Sequence, residues 1–167
     1  MTMAASFVGE LEHETKVTRT ALERVPEDRF TWKPHEKSMS MIELASHLAE
    51  MFSWTPAMTG QDRFDMDPSA YTPWVAESKQ QLLDTFDQNV DDALRAIREV
   101  SDEAMGETWT MAVSGRTVMQ MPRGAVIRNI LINHMIHHRA QLGIYLRLNE
   151  VAVPRAYGPS ADEASFA

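Results

Sequence analysis

Apolar residues recur at three- and four-residue steps in four long stretches of the chain, separated by polar or proline-bounded segments. Phe7, Leu11, Thr18, Leu22 and Val25 share one side of a first helix predicted over about 3–25, and Pro26 closes it. Phe30 and Trp32 then stand among charged residues in an ordered loop that covers the core. Ser40-Met41-Ile42-Glu43 is a capping-box sequence, in which the serine hydroxyl and the glutamate side chain satisfy backbone donors at a helix start. It predicts a second helix over 40–58 with Leu44, His47, Leu48, Met51 and Trp54 inward, and Pro56 ends or kinks that helix early. Residues 59–71 hold Gly60, Pro68 and alternating aspartates without a sustained period, and are expected to be a loop.

Thr72-Pro73-Trp74 places a capping hydroxyl before a proline at the first helical position. A third helix is predicted from there, over 73–100, on the stripe Leu82, Leu83, Phe86, Val90, Leu94 and Ile97. Between 101 and 121 the helical period fails. Trp109 to Val113 and Thr117 to Met119 flank Ser114-Gly115-Arg116, which fits a small hairpin or an irregular crossover. A fourth helix is predicted over 122–148, followed by a short tail over 150–167. The expected fold is all-α, a four-helix bundle with a long or hairpin-like crossover before its last helix, in one domain over 1–167.

Composition narrows the chemistry. The chain has 24 acidic against 16 basic residues, a net charge of −8, and no basic cluster longer than a pair, which argues against nucleic-acid backbone binding. With no cysteine there is no disulfide, no cysteine nucleophile and no thiolate ligand, so any metal must be held by nitrogen and oxygen. The longest apolar segment contains Arg128, Asn133, three histidines and Arg139, so it does not read as a membrane span. Glu10, Glu12 and Glu14 stand where a leader would be basic, and a cytoplasmic protein is the expectation.

Metal-ligand chemistry is concentrated in the fourth predicted helix. His134, His137 and His138 are three of the six histidines. At about 100° per residue, His134 lies about 40° from His138 and about 60° from His137, so either pair can present two imidazoles to one cation. His47, in the apolar stripe of the second helix, is the candidate third ligand. Met135 stands where a zinc-protease helix carries its glutamate base. A di-iron site is also a poor fit, because Glu10-Leu11-Glu12-His13 is an unrepeated motif whose histidine lies off the apolar stripe. His35, in a charged loop bounded by proline, is expected at the surface. Glu43 stands one turn before His47 as a candidate acceptor for that imidazole, but its capping role alone accounts for its presence and is the preferred reading. Gln141 and Tyr145, on the histidine face, either fill the interior or meet a substrate.

The run Asn133-His134-x-x-His137-His138-Arg139-x-Gln141, with Leu44-Ala45-Ser46-His47-Leu48 after a capped start, resembles the DinB superfamily. The likeness extends through Trp32-Lys33-Pro34, Tyr145-Leu146-Arg147 and the tail from Pro154 to Glu163. It implies an up-down-down-up order of four helices and one divalent cation on three histidines, with the ligand roles carried to His47, His134 and His138. Imidazole nitrogen accommodates zinc, nickel, copper and iron, with zinc or nickel foremost here. The resemblance further implies a metal-dependent transferase acting on a small-molecule thiol, since characterised relatives include S-transferases and isomerases that use mycothiol, bacillithiol or glutathione. Rival expectations are a non-catalytic structural or stress-response metal protein and a metal-assisted hydrolase. A homodimer is also expected, because Ile132, Met135, Ile136 and Leu146 make the last helix apolar away from its histidines and Gly143 permits close approach.

Overall fold

The computed structural model describes residues 1–164. Its first helix, α1, spans Met3–Glu23, and the Thr2 hydroxyl caps it by accepting from the Ala5 amide. Phe7, Leu11, Thr18 and Leu22 are buried along one side, as their spacing predicts, and Val25 is buried just beyond the helix end. The loop that follows delivers backbone as well as aromatics to the core. The Met41 amide donates to the Trp32 carbonyl at 2.8 Å and the Ile42 amide to the Phe30 carbonyl at 3.1 Å, so this loop satisfies two donors that the next helix leaves open.

The second helix, α2, spans Met41–Glu50 and starts in the full reciprocal capping box of Ser40 and Glu43. A 3-10 turn over Met51–Trp54 leads into α3, Thr55–Gly60, where Pro56 sits in the first turn. One expected helix is therefore divided ahead of its proline, which lacks the amide that would continue the ladder.

The next long helix, α4, spans Lys79–Arg98 and begins six residues later than Pro73 suggests, capped by the Ser78 hydroxyl. Tertiary bonds hold the intervening chain extended. The Ala76 amide donates to the buried Ser46 hydroxyl at 2.9 Å, and the Trp74 amide donates to Glu50 at 3.4 Å. The apolar stripe of α4 buries Leu82, Phe86, Val90, Leu94 and Ile97 as expected.

The expectation of an all-α four-helix bundle is overturned by a three-stranded sheet. Its strands are β1 (Arg63–Met66), β2 (Thr108–Val113) and β3 (Arg116–Pro122), and a short helix, α5 (Asp102–Gly106), precedes the second of them. β2 and β3 form an antiparallel hairpin across Ser114 and Gly115, whose φ values of 49° and 78° suit the right-handed twist of the strands. β1 adds in parallel on the other edge of β2, inside the segment expected to be a loop. It lacked a hydrophobic signal for a physical reason. Its first three residues are exposed, and it is held through the backbone by the register Arg63 to Thr110 through Met66 to Val113.

One buried side chain joins these parts. Arg123 opens α6 (Arg123–Val126) and donates to the carbonyls of Met58 at 2.7 Å, Gln61 at 2.6 Å and Ala104 at 3.1 Å, besides pairing with Asp62 at 2.7 Å. It ties the entry to β1 and the exit of α5 to the start of the last helical run. That run continues through a π-helical segment, Ile127–Asn133, into α7, His134–Leu148. Such wide turns are uncommon in helices and occur often at functional sites.

The main core gathers the buried faces of α1, α2, α4 and α7, and a smaller one forms under the sheet around Met58, Trp109 and Val126. Ile132, Met135 and Leu146 are fully buried within this chain, so the apolar side of the last helix that pointed to a second copy is largely covered by the chain's own core. Among the described residues, no helix is long and apolar enough to cross a membrane.

Candidate metal centre

The side chain of His47 reaches out from α2, and those of His134 and His138 from one face of α7. Each offers a ring nitrogen, and the three nitrogens lie within 4.8 Å of one another. His134 is central, its Nε2 standing 3.4 Å from Nε2 of His47 and 2.8 Å from Nε2 of His138. All three rings are partly buried. The indole of Trp54, one residue before α3, stacks on His134 at 6.2 Å between centroids and lies 5.5 Å from the His47 ring.

The remaining nitrogens decide what this cluster can do. Nδ1 of His138 faces Oε1 of Gln141 at 2.6 Å, and Nδ1 of His134 faces the Ile130 carbonyl at 3.3 Å. Both partners are acceptors, so in each ring the proton belongs on Nδ1 and the Nε2 lone pair points at the other histidine. Two lone pairs at 2.8 Å repel. A cation between them removes that conflict, and the donor set fits one. Bonds of about 2.0–2.1 Å in tetrahedral geometry separate two nitrogens by about 3.3 Å, close to the spacing of His47 and His134. Burial, reinforced by the neighbouring imidazoles, lowers the pKa of all three rings, with His47 pulled down to about 4. The rings are therefore neutral at physiological pH, the form in which imidazole ligates a metal.

Other candidates fall away from the cluster. His137 is exposed, with its ring 4.9 Å from that of His138, and the helical geometry that left the two interchangeable is resolved by where α2 lies. His13 and His35 are exposed, and His35 uses Nδ1 to accept from the Lys37 amide. Glu10 pairs with Arg128 and Glu12 with Arg98. Glu43 keeps to its capping box, where hydrogen bonds from Ser40 hold its carboxyl below the usual range. Among the described residues, no carboxylate joins the three histidines.

Tyr145 is buried, and its hydroxyl donates to the Met39 carbonyl. It packs edge-on against Trp32 at 5.5 Å, which makes it an interior residue. The Ile130 carbonyl was not foreseen, because a backbone acceptor in a π-helical segment carries no side-chain signal. Gln141 was foreseen on the histidine face, and its place three residues after His138 is a helix-reachable spacing for a ring anchor.

A family model described as the DinB family matches residues 1–165. An uncharacterized protein of Bacillus subtilis (strain 168), YjoA, is 22% identical over 157 residues, covering 88% of this chain and 91% of that protein. The fold is similar to the crystal structure of a DinB-like protein from Bacillus cereus ATCC 10987, with a TM-score of 0.71 at 18% identity over 90% of this chain and 95% of that one. It is similar also to the crystal structure of the DinB-like YjoA from Bacillus subtilis, with a TM-score of 0.70 at 19% identity, over 90% and 96% of the two chains.

Proposed function

The chain belongs to the DinB family, and from that membership and its converging imidazoles we propose that it binds one divalent metal ion through His47, His134 and His138 and acts there as a transferase on a small-molecule thiol. The observation that carries the metal reading is the convergence of ring nitrogens from His47, His134 and His138 within 4.8 Å of one another, with an acceptor facing Nδ1 of both His134 and His138. Zinc or nickel suits three nitrogen donors with no thiolate available.

The residues divide the work. Gln141 and the Ile130 carbonyl hold two rings in the tautomer that presents Nε2. His47 closes the set from α2, and Trp54 covers the His47 and His134 rings on one side. A divalent cation held by these three neutral imidazoles would leave room for an exogenous ligand and would favour thiolate over thiol. The sulfur is the substrate's, since the chain has no cysteine. A structural role is the second reading, supported by the fact that the histidines link α2 to α7.

The deciding experiment is elemental analysis of untagged protein, wild type beside His138→Ala and His137→Ala. About one equivalent of metal that is lost only in His138→Ala is expected. Thiol transfer by the loaded protein to an alkylating acceptor then separates the enzyme from the structural role, because a structural ion gives no turnover.

A further inference from the structure

The last helical run changes its winding just where it meets the histidines, since the π-helical segment Ile127–Asn133 ends directly before His134. We propose that this segment is a positioning device for the three-histidine site, kept in its wide turns by the side chain of Asn129, and that it works by handing the Ile130 carbonyl to the His134 ring. The purpose of the device rests on the metal reading above, while its bonding does not.

In an α-helix each carbonyl accepts from the amide four residues on, so the Ile130 carbonyl would be taken by the His134 amide. That amide donates to the Leu131 carbonyl instead, and the Ile130 carbonyl faces Nδ1 of the His134 ring at 3.3 Å. A ring contact thus stands where a backbone bond would be. The change of winding accounts for it, because a ladder that returns from the wide π step to the α step passes over one carbonyl. A carbonyl left without its amide needs another donor. An imidazole that supplies the donor from Nδ1 is committed to the tautomer whose Nε2 is free to ligate.

The local sequence favours the wide turns. Five of the seven residues, Ile127, Asn129, Ile130, Ile132 and Asn133, are isoleucine or asparagine, weaker α formers than alanine or leucine. The Asn129 side-chain amide donates to the Ala125 carbonyl at 2.8 Å, and its oxygen accepts from the Asn133 side chain at 3.3 Å. Such local side-chain bonds compete with the α ladder for backbone acceptors. Asn129 is exposed and hydrogen-bonds to none of the three histidines, so its influence on them is carried by the helix backbone.

The test uses the full untagged chain. In metal-free protein at neutral pH, nitrogen NMR of labelled imidazoles is expected to find the His134 proton on Nδ1. Asn129→Leu removes the donor to Ala125 and favours the α-helix. It is expected to shift that proton towards Nε2 and to weaken cobalt binding, read by chelator competition, by about tenfold, with an unfolding midpoint at or above that of wild type. Asn129→Thr, whose hydroxyl reaches the carbonyl four residues back, is expected to retain the wild-type tautomer and affinity. A merely structural surface residue would move the midpoint and neither of the other readings. A wild-type His134 protonated on Nε2, or an Asn129→Leu variant that keeps both tautomer and affinity, overturns the proposal. So does an Asn129→Thr variant that loses as much as Asn129→Leu, since the effect then does not run through the bond to Ala125. A wild type that binds no cobalt sinks the metal reading, and the tautomer comparison in metal-free protein still decides whether the segment positions His134.

Discussion

Oε1 of Gln141 stands 2.6 Å from Nδ1 of His138, three residues earlier on the same helix. That contact holds the ring and leaves its other nitrogen as an acceptor facing His134. Gln141→Leu should therefore keep the fold and weaken divalent-metal binding by about 10–100-fold, the usual effect of losing a ligand's outer partner. Gln141→Glu, which preserves an acceptor and adds charge, should bind at least as tightly as wild type. Competition with a chromogenic chelator reads both, and a Gln141→Leu variant with wild-type affinity would sink the anchoring role.

Acid should destabilise the metal-free protein in a defined window. Burial first, and then the neighbouring His138, lowers the pKa of His47 from 6.5 to about 4. The unfolded chain therefore binds more protons than the folded one between those values, so stability rises with pH across the window. The contribution is complete above about 6.5 and is lost as pH falls towards about 4. Thermal melts of chelator-treated protein at stepped pH should show Tm falling over that range. His47→Gln should flatten the fall, and an unchanged slope in that variant would assign the acid sensitivity elsewhere.

The sequence made the helices legible where one face is buried and a local cap marks the start. The stripe Leu82, Phe86, Val90, Leu94 and the box Ser40 to Glu43 need no distant partner to be recognised, and the same periodicity placed His134 and His138 together. β1 escaped because its bonds run through the backbone to β2 while its side chains face water. The start of α4 escaped because Ser46 and Glu50, on a different helix, capture the amides of Ala76 and Trp74. The choice between His137 and His138 depends on where α2 lies, which a helical wheel does not contain. Ile132 and Met135 look spare on a wheel drawn for two helices and are fully covered once α1 also packs on that run.

The pair Glu14 and Arg139 predicts a non-additive response. Both side chains are 7% exposed and lie 2.7 Å apart, with the Arg139 guanidinium 5.2 Å from the centre of the Tyr157 ring. Glu14→Leu alone strands a buried guanidinium and should cost about 3–5 kcal/mol, whereas Glu14→Leu with Arg139→Met should recover most of that loss. Tyr157→Phe removes hydrogen bonds to both partners and should cost about 1 kcal/mol. Urea unfolding of the four proteins decides it. A double variant no more stable than Glu14→Leu alone would mean that the pair contributes through packing rather than through charge.

At the end of α7 one residue works against its backbone. The Val151 amide donates to the Leu146 carbonyl at 3.0 Å and the Glu150 amide to the Arg147 carbonyl at 3.1 Å, the bonding of a helix that ends in a left-handed residue. That residue is Glu150, with φ of 57°, where a side chain with a Cβ costs about 1–2 kcal/mol and glycine costs almost nothing sterically. Its carboxylate also stands at the negative end of the helix dipole. Glu150→Gly should stabilise the protein by about 1 kcal/mol, since the relief of strain and charge exceeds the extra chain entropy lost on folding. Glu150→Val, β-branched at the same φ, should destabilise it by a similar amount. The urea midpoint should move in opposite directions for the two variants, with an unchanged m-value. A lower midpoint for Glu150→Gly would show that the carboxylate contributes more here than the backbone strain costs.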